Sequence, residues 1–304
     1  MMKAEYEFTH FCDDQKNKCF VVYNIKDKST TKYEVPYETV YLFDLAQVKN
    51  HIYFTGGGMP ATDARGEQFF QKAVEIIITE DDSKVEELPK MNVGRSNHTL
   101  VAVADKYLYA IGGCNTKAEI PACEKYSIEE RKWRVCASLN EKKMWVSVCV
   151  FNSRYLYAFG GSTNLKPKES NLIEFLDTED KEAKMWTKVE LTAGKDIWPR
   201  CFFVGCLQID ADSILLFGGL VNSNEVDDTY YFNPAKKTIE EGQKLERKDA
   251  FYRTRPGING KEITIVGSSE GDMHIYNIGD KKWSLIKKNM WNPETGFNIK
   301  SDTV

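Results

Sequence analysis

Leu108-Tyr109-Ala110-Ile111-Gly112-Gly113 is a short apolar run that stops on two glycines, and its recurrence decides the fold. The same shape stands at Ile52-Tyr53-Phe54-Thr55-Gly56-Gly57, at Leu156-Tyr157-Ala158-Phe159-Gly160-Gly161 and at Leu215-Leu216-Phe217-Gly218-Gly219. A worn copy closes the series at Ile263-Thr264-Ile265-Val266-Gly267-Ser268. The first glycines are spaced by 56, 48, 58 and 49 residues. Self-similarity at a period of about 50 residues marks a repeat architecture, in which each unit buries its faces only against its neighbours.

Each glycine strand has companions. Before it, one tight turn away, lies another apolar strand: Thr99 to Ala104 leads through Asp105-Lys106 into Tyr107, and Ser147 to Phe151 leads through Asn152-Ser153-Arg154 into Tyr155. Asn259-Gly260 is a strong hairpin signal in the same place. After it come an aromatic strand, a polar turn and usually a Trp: Tyr126 to Trp133, Phe175 to Trp186 and Tyr276 to Trp283, with weaker copies from Phe232 to Ile239 and from Ile76 to Val85. Four strands a, b, c and d per unit, with short polar turns, predict a four-stranded antiparallel blade.

These residues resemble the kelch-repeat β-propeller family over nearly the whole chain. The resemblance implies an all-β, six-bladed kelch propeller occupying residues 1–304 as one domain. In that family the glycines let backbones approach closely, and the Tyr and Trp pack between blades, each burying about 150–250 Å². Five b strands are counted, so the termini are expected to build the sixth blade. Glu5 to Phe11 is assigned to strand b, Cys19 to Ile25 to c, and Lys32 to Val35 to d with Tyr33 in the Trp position. The a strand is assigned to Gly296 to Val304, so that roughly 1–36 closes with 295–304. Closure removes exposed sheet edges, and loss of Met1 to Pro36 is expected to abolish cooperative folding. Two copies are weak: Ser83-Lys84-Val85-Glu86 has no aromatic, and the last glycine pair is Gly-Ser.

Composition narrows the function classes. The net charge is −4, from 41 basic and 45 acidic residues, whereas a nucleic-acid binder carries a strongly basic domain. The first residues are charged, with no apolar core of a signal peptide, and no run approaches the ~18 apolar residues of a membrane span. A soluble cytoplasmic protein is expected. Eight cysteines without a CxxC pair, in a chain long enough to need no staples, predict free thiols and no structural zinc.

Propellers work through the loops at one end of the ring, and in kelch relatives these are the b–c and d–a loops. The d–a segments carry Arg95, Lys143, Trp145, Trp198, Arg200 and Tyr252, and the last full unit adds Arg253 and Arg255 in strand a. Arg forks match carboxylates and Trp and Tyr give rigid contact area. These eight residues are therefore the expected partner-binding set, for an acidic peptide or loop of a protein partner, within a larger assembly where one exists. The competing reading makes the cations ion pairs between strands. The long b–c loops, Gly58 to Phe69 and Ser162 to Asn171, are further binding elements. Kelch receptors of ubiquitin ligases carry an added BTB or F-box segment, which is not expected in this chain. A lone propeller in a cytoskeletal or ciliary assembly, or an excised domain, is what fold analogy supports.

An enzyme is the alternative, with a metal- or small-molecule-dependent site at the channel mouth. Galactose oxidase, whose fold is similar, holds copper on His, Tyr and Cys. Here four histidines fall in different units, while metal ligands must converge. The one metal-like cluster is Glu270, Asp272 and His274, which period-two alternation puts on one face; its spacing departs from that of iron-dependent nitrile-specifier proteins. Phosphate-loop and serine-hydrolase motifs are absent from the sequence, and neither a cofactor nor a catalytic residue is expected.

Overall fold

The computed structural model describes residues 9–12, 19–24, 28–34, 41–59, 68–78, 83–115, 120–163, 169–251, 256–267 and 271–287. All regular elements among them are strands, and most of them form five antiparallel blades of four strands each, the first with Gln68–Phe69 paired on its strand b. Blade 1 has strands a to d at Tyr41–Val48, His51–Met59, Ala73–Ile78 and Ser83–Glu87. Blade 2 follows at Thr99–Val103, Tyr107–Ile111, Cys123–Ser127 and Lys132–Cys136. Blade 3 comprises Ser147–Phe151, Tyr155–Phe159, Ile173–Asp177 and Thr187–Lys188. Blade 4 comprises Gly205–Gln208, Ile214–Phe217, Thr229–Asn233 and Thr238–Glu241. Blade 5 comprises Gly257–Asn259, Glu262–Val266, Met273–Asn277 and Lys282–Lys287. The a strands of blades 1 to 4 touch in ring order.

Six blades were expected and five complete ones are described. The N-terminal strands Thr9–Cys12, Cys19–Tyr23 and Thr30–Glu34 form a three-stranded antiparallel sheet. Their order matches strands b, c and d of the expected closing blade, and Tyr23 packs on Val266 and Met273 of blade 5. The strand assigned to Gly296 to Val304 lies outside the described residues.

Turn chemistry sets the a–b hairpins. Ala104 and Asp105 in blade 2, and Asn152 and Ser153 in blade 3, each take left-handed φ of 51° to 54°, the geometry a two-residue turn needs to match strand twist. Blades 2 to 4 then bury both faces, because each packs between two others. One apolar cluster fills each seam. Tyr53, Leu88 and Met91 of blade 1 meet Leu100, Tyr126 and Trp133 of blade 2. Cys123 and Leu139 of blade 2 meet Leu156 and Trp186 of blade 3. Tyr157 and Phe159 of blade 3 meet Leu216 and Phe232 of blade 4, and Phe217 of blade 4 meets Tyr276 and Trp283 of blade 5. The strand-d indoles also hydrogen-bond backward across the seam. Trp133 donates to the Pro89 carbonyl (2.9 Å), Trp186 to the Ala137 carbonyl (3.1 Å) and Trp283 to the Thr229 hydroxyl (3.2 Å).

The paired glycines are the second fastener. Gly112 and Gly113 sit at φ +64° and +95°, conformations open to glycine at little steric cost. A Cβ on Gly112 would stand 2.5 Å from the carbonyl oxygen of Lys143 in the next blade. That same carbonyl accepts the N–H of Gly113 at 3.0 Å. Gly57, Gly161 and Gly219 repeat the bond, to the carbonyls of Arg95, Cys201 and Asp249 (each 2.8 Å). So the glycine pair exists to put one blade's backbone directly on the lead-in of the next. The worn fifth copy serves another purpose: a Cβ on Gly267 would fall on the Asp249 carboxylate, which fills the space.

Cys114, Cys123, Cys136, Cys149, Cys201 and Cys206 are free. Burial pushes the Cys123 thiol up to about 11 and holds Cys149 well above its ordinary value.

Candidate functional site at the channel mouth

Where each d–a segment turns into strand a, the chain passes through one left-handed residue. These are Leu42 (φ 62°), Asn97 (54°), Trp145 (57°) and Phe203 (56°). They are joined blade to blade by backbone bonds: Asn97 N–H to the Leu42 carbonyl (2.9 Å), Trp145 N–H to the Asn97 carbonyl (3.0 Å), and Phe251 N–H to the Phe203 carbonyl (2.9 Å). Backbone bonds thus tie the rim of blades 1, 2 and 3 together, and that of blade 4 to the lead-in of blade 5. Asn suits such a position; a bulky side chain there costs about 1–2 kcal/mol. Three of the four rim residues nevertheless carry large apolar side chains.

Three of the eight residues assigned to the expected basic face, Arg95, Lys143 and Trp198, are buried. Arg95 is 0% exposed, as is its partner Glu124 at 2.8 Å. The guanidinium also donates to the carbonyls of Gly112 (2.9 Å) and Ala122 (2.8 Å), tying the glycine turn to strand c. Glu124 accepts further from the N–H groups of Asn92 and Val93 and from the Asn92 amide. Lys143 repeats the arrangement with Glu174 at 3.0 Å, both side chains buried, while Asn140 caps the same carboxylate. The competing reading therefore holds for Arg95 and Lys143: their charges are consumed inside the blade. Trp198 is also buried. Blade 4 has Ile239 where its neighbours have a strand-d Trp, and Trp198 fills the seam instead, edge-on to Phe159 and Tyr230, with its indole on the Asn171 carbonyl (3.0 Å).

Trp145 and Arg200 do reach the surface, and blades 3 and 4 bring them into one sector. Trp145 is half-buried and lies 5.3 Å, centroid to centroid, from both Phe202 and Phe203. Arg200 is exposed and donates to the Glu169 carbonyl at 3.1 Å. The Glu169 carboxylate turns inward onto the N–H groups of Asn222 (2.9 Å) and Ser223 (3.0 Å). Those two residues form the left-handed tip of a small hairpin, Leu220–Val221 with Asn224–Glu225. Two b–c loops and one d–a segment are locked together, a preorganised platform beside the aromatic rim. The sequence reading did not single out Phe203, and it covered Glu169 only as part of the Ser162 to Asn171 loop. Phe202 and Phe203 sit in an apolar run that reads as core strand; Phe202 is buried, and the left-handed turn at Phe203 brings that side chain half-buried to the rim.

In blade 5 the positions of acid and base are exchanged. Asp249 stands where blades 2 and 3 have Arg95 and Lys143, and His274 stands on strand c where they have Glu124 and Glu174. His274 Nε2 and Asp249 Oδ2 are 3.2 Å apart and buried. Of the metal-like grouping, Asp272 and His274 are described, and each has its own partner. Asp272 pairs with Arg247 at 2.7 Å, His274 is held by Asp249, and a register irregularity falls at Met273/His274. Glu270, Tyr252, Arg253 and Arg255 lie outside the described residues. Among the described residues no group of three or more His, Cys, Asp or Glu is placed to hold a metal ion. His98, the histidine nearest the rim, is buried with Nε2 on the Thr55 hydroxyl at 2.8 Å.

The KLHDC2/KLHL20/DRC7 Kelch-repeats domain matches residues 97–298. Three poxvirus proteins named Kelch repeat and BTB domain-containing protein 2 are similar. The ectromelia virus (strain Moscow) protein is 29% identical over 147 residues, 48% of this chain and 25% of that one. The horsepox virus protein is 30% identical over 155 residues, 48% and 25%. The cowpox virus (strain Brighton Red) protein is 29% identical over 160 residues, 50% and 26%. The matched stretch thus covers about a quarter of these longer relatives. With the glycine-pair fasteners, the seam tryptophans and a match across about two thirds of its length, the chain belongs to the kelch-repeat family of β-propellers.

Proposed function

We propose that the protein is a non-enzymatic interaction module that binds a protein partner on the face carrying its b–c and d–a loops. One observation carries this reading. The rim accepts strained left-handed backbone at Leu42, Trp145 and Phe203 while bearing large apolar side chains, and such strain clusters where a site contacts a ligand. Trp and Arg at the surface of a rigid platform are the residue types that dominate binding energy. Free buried thiols fit a cytoplasmic setting. The balance of charge fits neither nucleic acid nor an anionic membrane.

Site-specific photocrosslinking in cell extract tests it. A photoreactive phenylalanine analogue replaces Trp145 in one preparation and Ala235 in another. Ala235 lies in a c–d turn, at the opposite end of the strands. Adducts expected at 145 and not at 235 support the face; adducts at 235 alone refute it.

A further inference from the structure

We infer that Asn259-Gly260, at the turn between strands a and b of blade 5, is a site of spontaneous covalent modification. The Asn259 side-chain amide is lost to attack by the Gly260 backbone nitrogen, and the isoaspartate that results loosens the hairpin.

The chemistry needs a peptide nitrogen that can reach the carboxamide carbon. Gly260 N–H gives up its proton, and the nitrogen attacks Asn259 Cγ. Nδ2 leaves as ammonia, and a five-membered succinimide closes. Water then opens the ring. Breaking the Cγ–N bond leaves aspartate; breaking the backbone C–N bond leaves isoaspartate, whose main chain runs through Cγ. Water is the one co-reactant, and no electrons are exchanged.

Three asparagines among the described residues precede Gly or Ser: Asn152, Asn222 and Asn259. The first two are held. Asn152 Oδ1 accepts the Gln208 side-chain amide at 2.7 Å. Behind Asn222 the attacking nitrogen is occupied, because Ser223 N–H donates to the Glu169 carboxylate at 3.0 Å. Asn259 is exposed, and neither its carboxamide nor the Gly260 N–H makes a hydrogen bond among the described residues. Gly260 stands at φ +61° with nothing within 4 Å of the place a Cβ would take. No neighbour screens its nitrogen, and glycine has the backbone freedom to swing that nitrogen toward Cγ.

The register gives the consequence. Asn259 stands directly opposite Glu262, so a carboxylate at 259 places like charges on facing positions, which destabilises a strand pair. Isoaspartate also adds a methylene to the main chain at the edge of a two-residue turn whose geometry sets the pairing. Strand a of blade 5 has 3 residues, Gly257–Asn259, so the change falls on a strand with little pairing to spare.

The experiment ages the full chain at physiological temperature, at neutral and mildly alkaline pH. Peptide mapping by mass spectrometry locates amide loss. Protein isoaspartate methyltransferase with labelled S-adenosylmethionine counts isoaspartate, and hydrogen exchange reads the hairpin. Gly260→Ala and Asn259→Gln are aged in parallel, each first shown to melt cooperatively. Position 259 should lose its amide ahead of 152 and 222, with isoaspartate among the products and a rate that rises with hydroxide. Gly260→Ala should react about tenfold more slowly or less, a barrier higher by about 1.4 kcal/mol or more. Amides of the blade 5 hairpin should exchange faster in aged wild type than in aged Asn259→Gln. An intact Asn259 in the folded chain, under conditions where the urea-unfolded chain loses it, overturns the inference, as does earlier loss at 152 or 222. Amide loss that leaves hairpin exchange unchanged overturns the loosening.

Discussion

Arg95→Met removes one charge from a pair that has no access to water. Glu124 then keeps its bonds from Asn92 and Val93 but loses its cation, and the carbonyls of Gly112 and Ala122 lose a donor each. Breaking a buried ion pair from one side costs roughly 3–5 kcal/mol. Unfolding entropy of about 2.1 cal/mol/K per residue over 304 residues is about 0.64 kcal/mol/K. If the ring melts as one unit, the melting temperature should fall by about 5–8 °C. Arg200→Met, at an exposed site, should move it by less than about 1 °C. The double variant Arg95→Met with Glu124→Gln should be less destabilised than the sum of its singles, because neither charge is left buried alone. Differential scanning calorimetry at neutral pH reads wild type and the four variants, Glu124→Gln alone included. A folded Arg95→Met protein melting within a degree of wild type would refute the assignment of Arg95 to the blade interior and restore it to the partner face.

Two glycines with the same φ separate backbone strain from crowding. Gly112 (φ +64°) faces the Lys143 carbonyl at 2.5 Å, and Gly260 (φ +61°) faces nothing within 4 Å. Gly260→Ala should cost about 1 kcal/mol from strain alone, and Gly112→Ala at least twice that, as read by urea denaturation; equal costs would show that the inter-blade contact carries no weight. Trp186→Ala should destabilise by about 3–5 kcal/mol, since it empties the seam of blades 2 and 3 and frees the Ala137 carbonyl; a loss under 1 kcal/mol would show that the seam does not depend on it. The buried thiols give a pH dependence. Cys123 is raised from 9.0 to about 11 by burial, so the stability held by the neutral thiol is complete below pH 9. It is lost at about 1.4 kcal/mol per unit as pH rises toward 11. Cys123→Ala should flatten that part of the profile in chemical denaturation series between pH 8 and 11; an unchanged slope would contradict it.

The propeller was legible in the sequence because its determinants are local and repeated. Gly-Gly after four or five apolar residues, a turn pair such as Asn259-Gly260 and a Trp after a polar turn each specify backbone within one blade, and five copies make the pattern unmistakable. Strands a and b of blades 2 and 3 fell where the hairpin residues put them, to within a residue. The site was legible only in part, since a d–a segment shows its residue types and not their direction. Arg95, Lys143 and Trp198 read as a basic, aromatic surface, and the tertiary structure turned all three inward: the glutamates that bind the two cations lie about 30 residues away, on strand c, and the seam that Trp198 fills is made by two blades. Lys142, next to Lys143, faces solvent because only one of the two meets Glu174. Composition and spacing set the blade; which charges remain for a partner was settled by pairing between distant strands, where a buried cation keeps its place only if a carboxylate arrives from elsewhere in the chain.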